Sequence, residues 1–427
     1  MSNTRSNSMA SRRITLRVLA ALIVFGLAGL PTQAQKKNKN AKASDQTQQP
    51  KRIGFDISKI VWPNPPAIAR IKFENLLTGQ PIDWAALDST KKPKQTWMDR
   101  LAGAQPDAQV KDVQKKFGFQ LIRVYGVAAD SKGNIYAADQ AVGAIFIFPK
   151  LETASDKLQL IKNGQEAHFG LINGLAMDDN DRLFVTDSKL HRVLVFNTKH
   201  EIEASFGADQ LVSPAGIALD TTNRFAYVVD TQQDQVLVFD ADNYKLLRRI
   251  GTGGKKHTLT SPGDFSLPTH AAVDQEGNVY VTDTLNNRVE IFDADGKFIS
   301  EFGKSGDGPG RFARPKGIIV DGDGHIWVAD EIQSRVQVFD KTGQLLIYFG
   351  QQGPYPGQFQ ALYGLGFDKK NNRVITSEQF PGRVQVFHYV TDAEAAAEKS
   401  RREAEQSKPA SNAADSTPQK GGEISRK

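Results

Sequence analysis

The stretch His270-Ala-Ala-Val-Asp274-Gln-Glu-Gly277-Asn278-Val279-Tyr280-Val-Thr-Asp283-Thr-Leu-Asn-Asn-Arg288-Val289-Glu-Ile-Phe292 is one copy of a passage that occurs six times in the 427-residue chain. It continues through Asp293-Ala-Asp-Gly296 into Lys297-Phe-Ile-Ser-Glu-Phe302. Short runs rich in Val, Ile, Phe and Tyr alternate with Gly, Asn and Asp, which predicts four antiparallel strands joined by tight turns. The Glu-Gly-Asn and Asp-Gly steps supply the positive φ angles that short hairpins require.

The copies are aligned by three residues. The first is Asp130, Asp178, Asp220, Asp274, Asp321 or Asp368. Nine or ten residues later stands Asp139, Asp187, Asp230, Asp283, Asp330 or Glu378, and nine after that Phe148, Phe196, Phe239, Phe292, Phe339 or Phe387. Successive Phe residues lie 48, 43, 53, 47 and 48 positions apart, a period that marks a repeat architecture. A lone four-stranded sheet cannot bury both faces, whereas six stacked radially bury one another. The recurrent Phe is therefore expected to be packing between sheets.

The motifs Tyr125-Gly-Val-Ala-Ala-Asp130, Asn173-Gly-Leu-Ala-Met-Asp178, Pro214-Ala-Gly-Ile-Ala-Leu-Asp220, Arg314-Pro-Lys-Gly-Ile-Ile-Val-Asp321 and Tyr363-Gly-Leu-Gly-Phe-Asp368 resemble NHL repeats. So do Asn287-Arg288-Val289, Ser334-Arg335-Val336, and the Gly-rich linkers Gly303–Phe312 and Gly350–Phe359. The resemblance implies an all-β fold, a six-bladed β-propeller of four-stranded antiparallel blades over residues 121–390. It is specific for fold and weak for function, since members of this group do different things. Five copies are followed by a fourth strand, but Phe387 runs into a polar tail. The missing strand is expected from Ile68–Leu77, which would close the ring and cover an otherwise open edge.

Residues 1–34 read as an export signal: Arg12, Arg13 and Arg17 precede the apolar stretch Val18–Leu30, with small residues up to Ala34. Thirteen apolar residues are too few for a comfortable membrane span. Sec and twin-arginine routes both fit, and the style is bacterial. The mature chain is thus expected in the periplasm or secreted, as a monomer without a membrane span. It has no Cys, hence no disulfides. The charge of +6 sits mostly in the ends: residues 1–34 carry +4, 35–50 carry +3 and 391–427 balance, leaving −1 for 51–390. A nearly neutral exported body argues against a nucleic-acid partner. Residues 35–52 read as a solvated linker. Residues 53–120 hold the closing strand (68–77) and an insert (79–117) with Trp84, Trp97 and a predicted helix near Gln95–Leu101, suited to capping the propeller. Residues 391–427 read as a short helix followed by a disordered tail.

In a propeller the inner strands line the central channel. Candidate site residues are those at or just before the recurrent Gly: Tyr125, Asn173, Ala215, Thr269, His270, Lys316 and Tyr363. They suit binding of a protein, a peptide or a small polar ligand, or they simply fill the rim. The six acids that end the second strands are expected to accept N–H bonds from their turns, with Arg192, Arg288, Arg335 and Arg383 reaching four of them. His270 replaces Gly126, Gly174, Gly216, Gly317 and Gly364 of the other copies. NHL-like amidating lyases carry metal-binding His residues at such positions, so a zinc- or calcium-dependent lyase or lactonase is the alternative reading. One His falls short of the three or four converging ligands that zinc needs. No cofactor and no catalytic residue is assigned. Asp321-Gly-Asp-Gly324 and Asp178-Asp-Asn-Asp181 read as hairpin turns, not calcium loops. The leading reading is a non-enzymatic binding or scaffold module, with a purely structural envelope protein as a third.

Overall fold

The computed structural model describes residues 56–80, 120–151, 158–162, 168–253 and 261–406. The expected signal, linker, nearly all of the insert with its predicted helix, and the tail from 407 lie outside the described residues. The chain forms six antiparallel sheets around an axis, five of four strands and one of five. The inner strands are Val124–Ala129, Ile172–Met177, Pro214–Asp220, Pro268–Val273, Pro315–Val320 and Leu362–Asp368. Each packs on the inner strand of the next blade, and the sixth packs on the first.

Both faces of every blade are covered, so the second strands are apolar or small at nearly every position. Ile135–Asp139 and Ile326–Asp330 are buried throughout. Side chains alternate between the two faces, and the result is six separate apolar cores, one between each pair of neighbouring blades. The recurrent Phe residues are buried and point to the preceding blade. Phe196, for example, packs with Ile145 and Ile161 of blade one, and Phe339 with Ile291 of blade four.

The ring closes as expected. Ile71–Leu77 pairs antiparallel with Gly382–Tyr389, with Phe73 opposite Phe387 and Leu77 opposite Val384. The two Phe rings meet edge-on at 5.6 Å. Outside this strand lies a further short one, Val61–Trp62, paired to Ile71 and Lys72, which the sequence pattern does not announce. Trp62 holds it in place, with ring centroids 5.3 Å from Phe349 and 5.9 Å from Phe387. Past the last strand, Thr391 and Glu394 form a reciprocal capping box that starts the helix Asp392–Gln406. This helix is tied to the N-terminal segment by the Arg70–Asp392 ion pair and by Arg402 Nη1 donating to the Pro66 carbonyl at 3.0 Å.

Antiparallel pairing sorts the loops into two ends. Val124 opposes Asp139, and Asp139 opposes Ala144. The entries to the inner strands and the turns between second and third strands therefore share one end, here the mouth. The turns between first and second strands lie at the other end.

Candidate functional site

The site begins with an irregularity that recurs in all six blades. Between first and second strands the register slips by one residue, at Val124/Val127, Ile172/Leu175, Pro214/Ile217, Pro268/Ala271, Pro315/Ile318 and Leu362/Leu365. The two residues inside each slip form a β-bulge that leaves the ladder and is re-aimed. These are Tyr125-Gly126, Asn173-Gly174, Ala215-Gly216, Thr269-His270, Lys316-Gly317 and Tyr363-Gly364, so the bulge gathers every predicted site residue at one level of the channel.

The recurrent Gly has a steric cause. A Cβ on Gly126 would lie 2.3 Å from the Asn173 carbonyl oxygen, and one on Gly364 2.5 Å from that of Tyr125. Each inner strand leans on the carbonyl before the next Gly. In alternate blades a hydroxyl bridges the same contact: Thr186, Thr282 and Ser377 accept from the backbone N–H of Gly174, His270 and Gly364 and donate to the carbonyls of Ala215, Lys316 and Tyr125. These three residues, each just before the recurrent second-strand acid, are positioning groups that the sequence reading missed. Their signal is the hydroxyl in blades two, four and six where Ala138, Val229 and Ala329 stand in the others.

Tyr363 is the centre of the mouth. Its hydroxyl donates to Asn173 Oδ1 at 3.3 Å, from blade six to blade two. Its ring meets those of Tyr125 at 4.7 Å and His270 at 5.0 Å, both edge-on. Lys316 Nζ lies 5.7 Å from its centroid. Four of the predicted residues, from four blades, thus meet around a fifth, the buried Tyr363 of blade six. Thr269 is adjacent but engaged elsewhere, its hydroxyl bonded to those of Thr284 and Thr282 at 2.8 and 3.3 Å. Ala215 is buried and offers no polar side-chain atom. Below this cluster lies a channel cavity of about 180 Å³, lined mainly by Gly, Ala, Val, Ile and Leu, with His270 near its upper end.

Electrostatics separate the two basic groups. Burial, reinforced by Lys316, pushes the His270 pKa down to about 3, so the imidazole is neutral. Its Nδ1 is buried without a hydrogen-bond partner among the described residues. Burial also lowers the Lys316 pKa from its ordinary value, opposed by Glu331 and assisted by Arg314. Lys316 remains half-buried, with no ion pair among the described residues. Burial raises the Tyr363 and Tyr125 pKa values, so both hydroxyls keep their protons.

The recurrent acids are engaged in structure. Asp139 accepts from the backbone N–H of Ile122 and Arg123 before the inner strand and of Ala141 and Val142 in its own turn. Asp230 and Asp330 repeat the pattern. Each acid staples two neighbouring loops at the mouth. Of the four expected arginines, Arg288 and Arg383 reach Asp283 and Glu378 at 2.9 and 2.7 Å. Arg192 and Arg335 do not: they donate to the carbonyls of His168 and of Asp307 and Gly308 in the loops between blades. No three His, Asp or Glu side chains converge as metal ligands among the described residues. The neighbours of His270 are Lys316 and Tyr363, a set that does not suit zinc or calcium. His325 bonds to Asp321 at the opposite end, and His191 and His168 lie in loops.

The geometry defines a six-bladed β-propeller with a polar channel mouth. Comparison with known proteins agrees with that fold. A family described as 6-bladed beta-propeller matches residues 163–252 and 271–325, and an NHL repeat matches 312–339. The uncharacterized protein YncE of Salmonella typhi and of Salmonella typhimurium is 34% identical over 147 residues, 33% of this chain and 38% of theirs. The peptidyl-glycine alpha-amidating monooxygenase of Mus musculus is 28% identical over 264 residues, 54% of this chain and 27% of that enzyme. The chain thus spans well under half the length of these relatives. A Bacteroides thetaiotaomicron protein of unknown function has a solved structure that superposes with a TM-score of 0.50 at 16% identity, covering 64% of this chain and 71% of that one. These matches are consistent with a β-propeller whose blades are of NHL type.

Proposed function

We propose that this propeller is an exported binding module whose mouth receives a polar, negatively charged group of a protein, peptide or small ligand. The observation that carries this is Lys316: a half-buried ammonium at the axis, held against Tyr363, influenced by Glu331 at longer range but in ion-pair contact with no carboxylate among the described residues. A cation kept partly out of water without a partner gains most from an incoming carboxylate or phosphate. Tyr125, whose hydroxyl makes no hydrogen bond to the described residues, stands beside it as a second donor. The six recurrent acids do not compete, because backbone N–H groups and arginines engage them, and Glu331 pairs with Arg314 at 3.5 Å. The test is retention of envelope components on the immobilised mature protein, comparing wild type with Lys316→Met. A component held by wild type and lost by the variant, at unchanged thermal stability, supports the reading. Equal retention, or turnover of a lactone or peptide with stoichiometric zinc or calcium, contradicts it.

A further inference from the structure

The large apolar side chains that remain exposed are distributed unevenly. Every blade presents at least one at the mouth end, either just before its inner strand or in the turn between second and third strands. They include Ile122, Leu171, Val212, Leu285, Ile332 and Phe380, one for each blade in order. Four of these six are more than half exposed. The remaining exposed apolar residues lie at this same end, on outer strands such as Leu246–Ile250 and Phe298–Phe302, or at Tyr355. Among the described residues none lies in the turns of the opposite end. Soluble proteins tolerate scattered apolar residues, but one on every blade at a single end is an organised surface.

We propose that this end docks on an anionic phospholipid bilayer. The tips stand on all six blades around the axis, so an occupant that touches them all must be broad and without lateral features, as a bilayer is. Arg123, Lys189 and Arg314 are exposed at the same end. Interfacial binding grows with buried apolar area and with basic residues facing anionic lipid. The tip-bearing loops are stapled by the buried acids, so little conformational freedom is lost on docking. A second copy stacked on the same axis would bring two Lys316 side chains together, which disfavours that occupant. The inference is independent of the ligand at the mouth: Lys316→Met tests that ligand, and the tips test the bilayer.

The experiment is co-sedimentation of the full exported chain with phosphatidylethanolamine vesicles, with and without phosphatidylglycerol. Binding is expected only with phosphatidylglycerol, weakening as salt is raised. The variant Leu285→Ser/Ile332→Ser/Phe380→Ser should bind at least about tenfold more weakly, and Arg314→Gln about fivefold. A control on the outer strands, Leu247→Ser/Ile299→Ser/Leu346→Ser, should bind as wild type does. All these residues are exposed, and unchanged melting temperatures would show intact folding. No partition of wild type into anionic vesicles, or an equal loss in tip and control variants, overturns the proposal. So does a dimer that the tip variant dissolves, which assigns the surface to a second copy. Vesicle binding gained only when residues 81–119 are replaced by a short linker assigns the surface to that segment of the chain; the replacement is feasible because Gln120 N lies 2.7 Å from the Thr78 carbonyl oxygen.

Discussion

The two ends of this ring are built from the same repeat and carry opposite surfaces. At the end of the first-to-second turns, each recurrent Asp organises its own hairpin, as Asp130 does for Lys132 and Asn134 and Asp274 for Glu276 and Asn278. The side chains there are polar, and the repeats agree with one another. At the mouth, each acid fastens two loops and is itself buried, which leaves the loop tips free to vary. There the copies diverge: Tyr, Asn, Ala, Thr-His, Lys and Tyr at the axis, and Ile, Leu, Val, Leu, Ile and Phe on the tips. The same backbone requirement is met at both ends by largely buried acids, but at the opposite end each serves its own hairpin, whereas at the mouth each ties its own turn to the entry of the inner strand.

The contrast can be broken most severely where neighbouring blades share a core. Phe387→Ala, at the closing seam, should destabilise by about 4 kcal/mol in denaturant unfolding, since a buried aromatic leaves a cavity. Asp330→Ala strips the acceptor from three backbone N–H groups at the mouth and should cost about 3 kcal/mol. Its counterpart in an exposed turn at the other end, Asp340→Ala, should cost only about 1 kcal/mol, because water replaces the lost bonds. If the two Asp substitutions cost the same, burial of the Asp330 carboxylate does not set its contribution.

Two buried groups sharpen the contrast through pH. His270 has a folded pKa of about 3 against an ordinary 6.5. The unfolded chain therefore binds the extra proton, and stability should fall as pH drops from about 6.5 towards 3, by at most about 1.4 kcal/mol per unit. His270→Gly, the residue of the other five blades, should flatten that limb of the melting-temperature profile. Glu290 runs the other way. Burial lifts its pKa to about 7, opposed by the Gly263 N–H and Arg288 and assisted by Asp283 and Glu301. Here the folded state holds the proton, so its contribution is present below about 4.5 and is lost as pH rises through 7. Gln337 and Gln385 occupy the same position in blades five and six, each accepting from a loop N–H as Glu290 does. Glu290→Gln should remove this slope and leave stability at neutral pH within about 1 kcal/mol of wild type.

Much of this was legible in the sequence. Six concordant copies disclose the blades, and the absent fourth strand after Phe387 points to the segment around Phe73. The Val61–Trp62 strand is hidden because two residues make no pattern, and only contacts of Trp62 with distant rings hold it. The site was half legible. Departures from the repeat picked out Tyr125, Asn173, His270, Lys316 and Tyr363, but not that Tyr363 lies across the axis and joins the others, since a bulge redirects side chains without changing their spacing. Arg192 and Arg335 misled for a related reason: proximity along the chain to an acid does not decide where a long side chain donates. The apolar tips escaped notice because each is a single residue in a polar loop, and their common end emerges only from strand pairing.

The most direct measurement places a photo-crosslinking amino acid at an exposed position of each end, Lys189 at the mouth and Lys341 at the opposite turns, in cells producing the full chain. The account predicts adducts from position 189, diminished by Lys316→Met or by the three tip substitutions, and none from position 341. Adducts formed only from position 341 would contradict it.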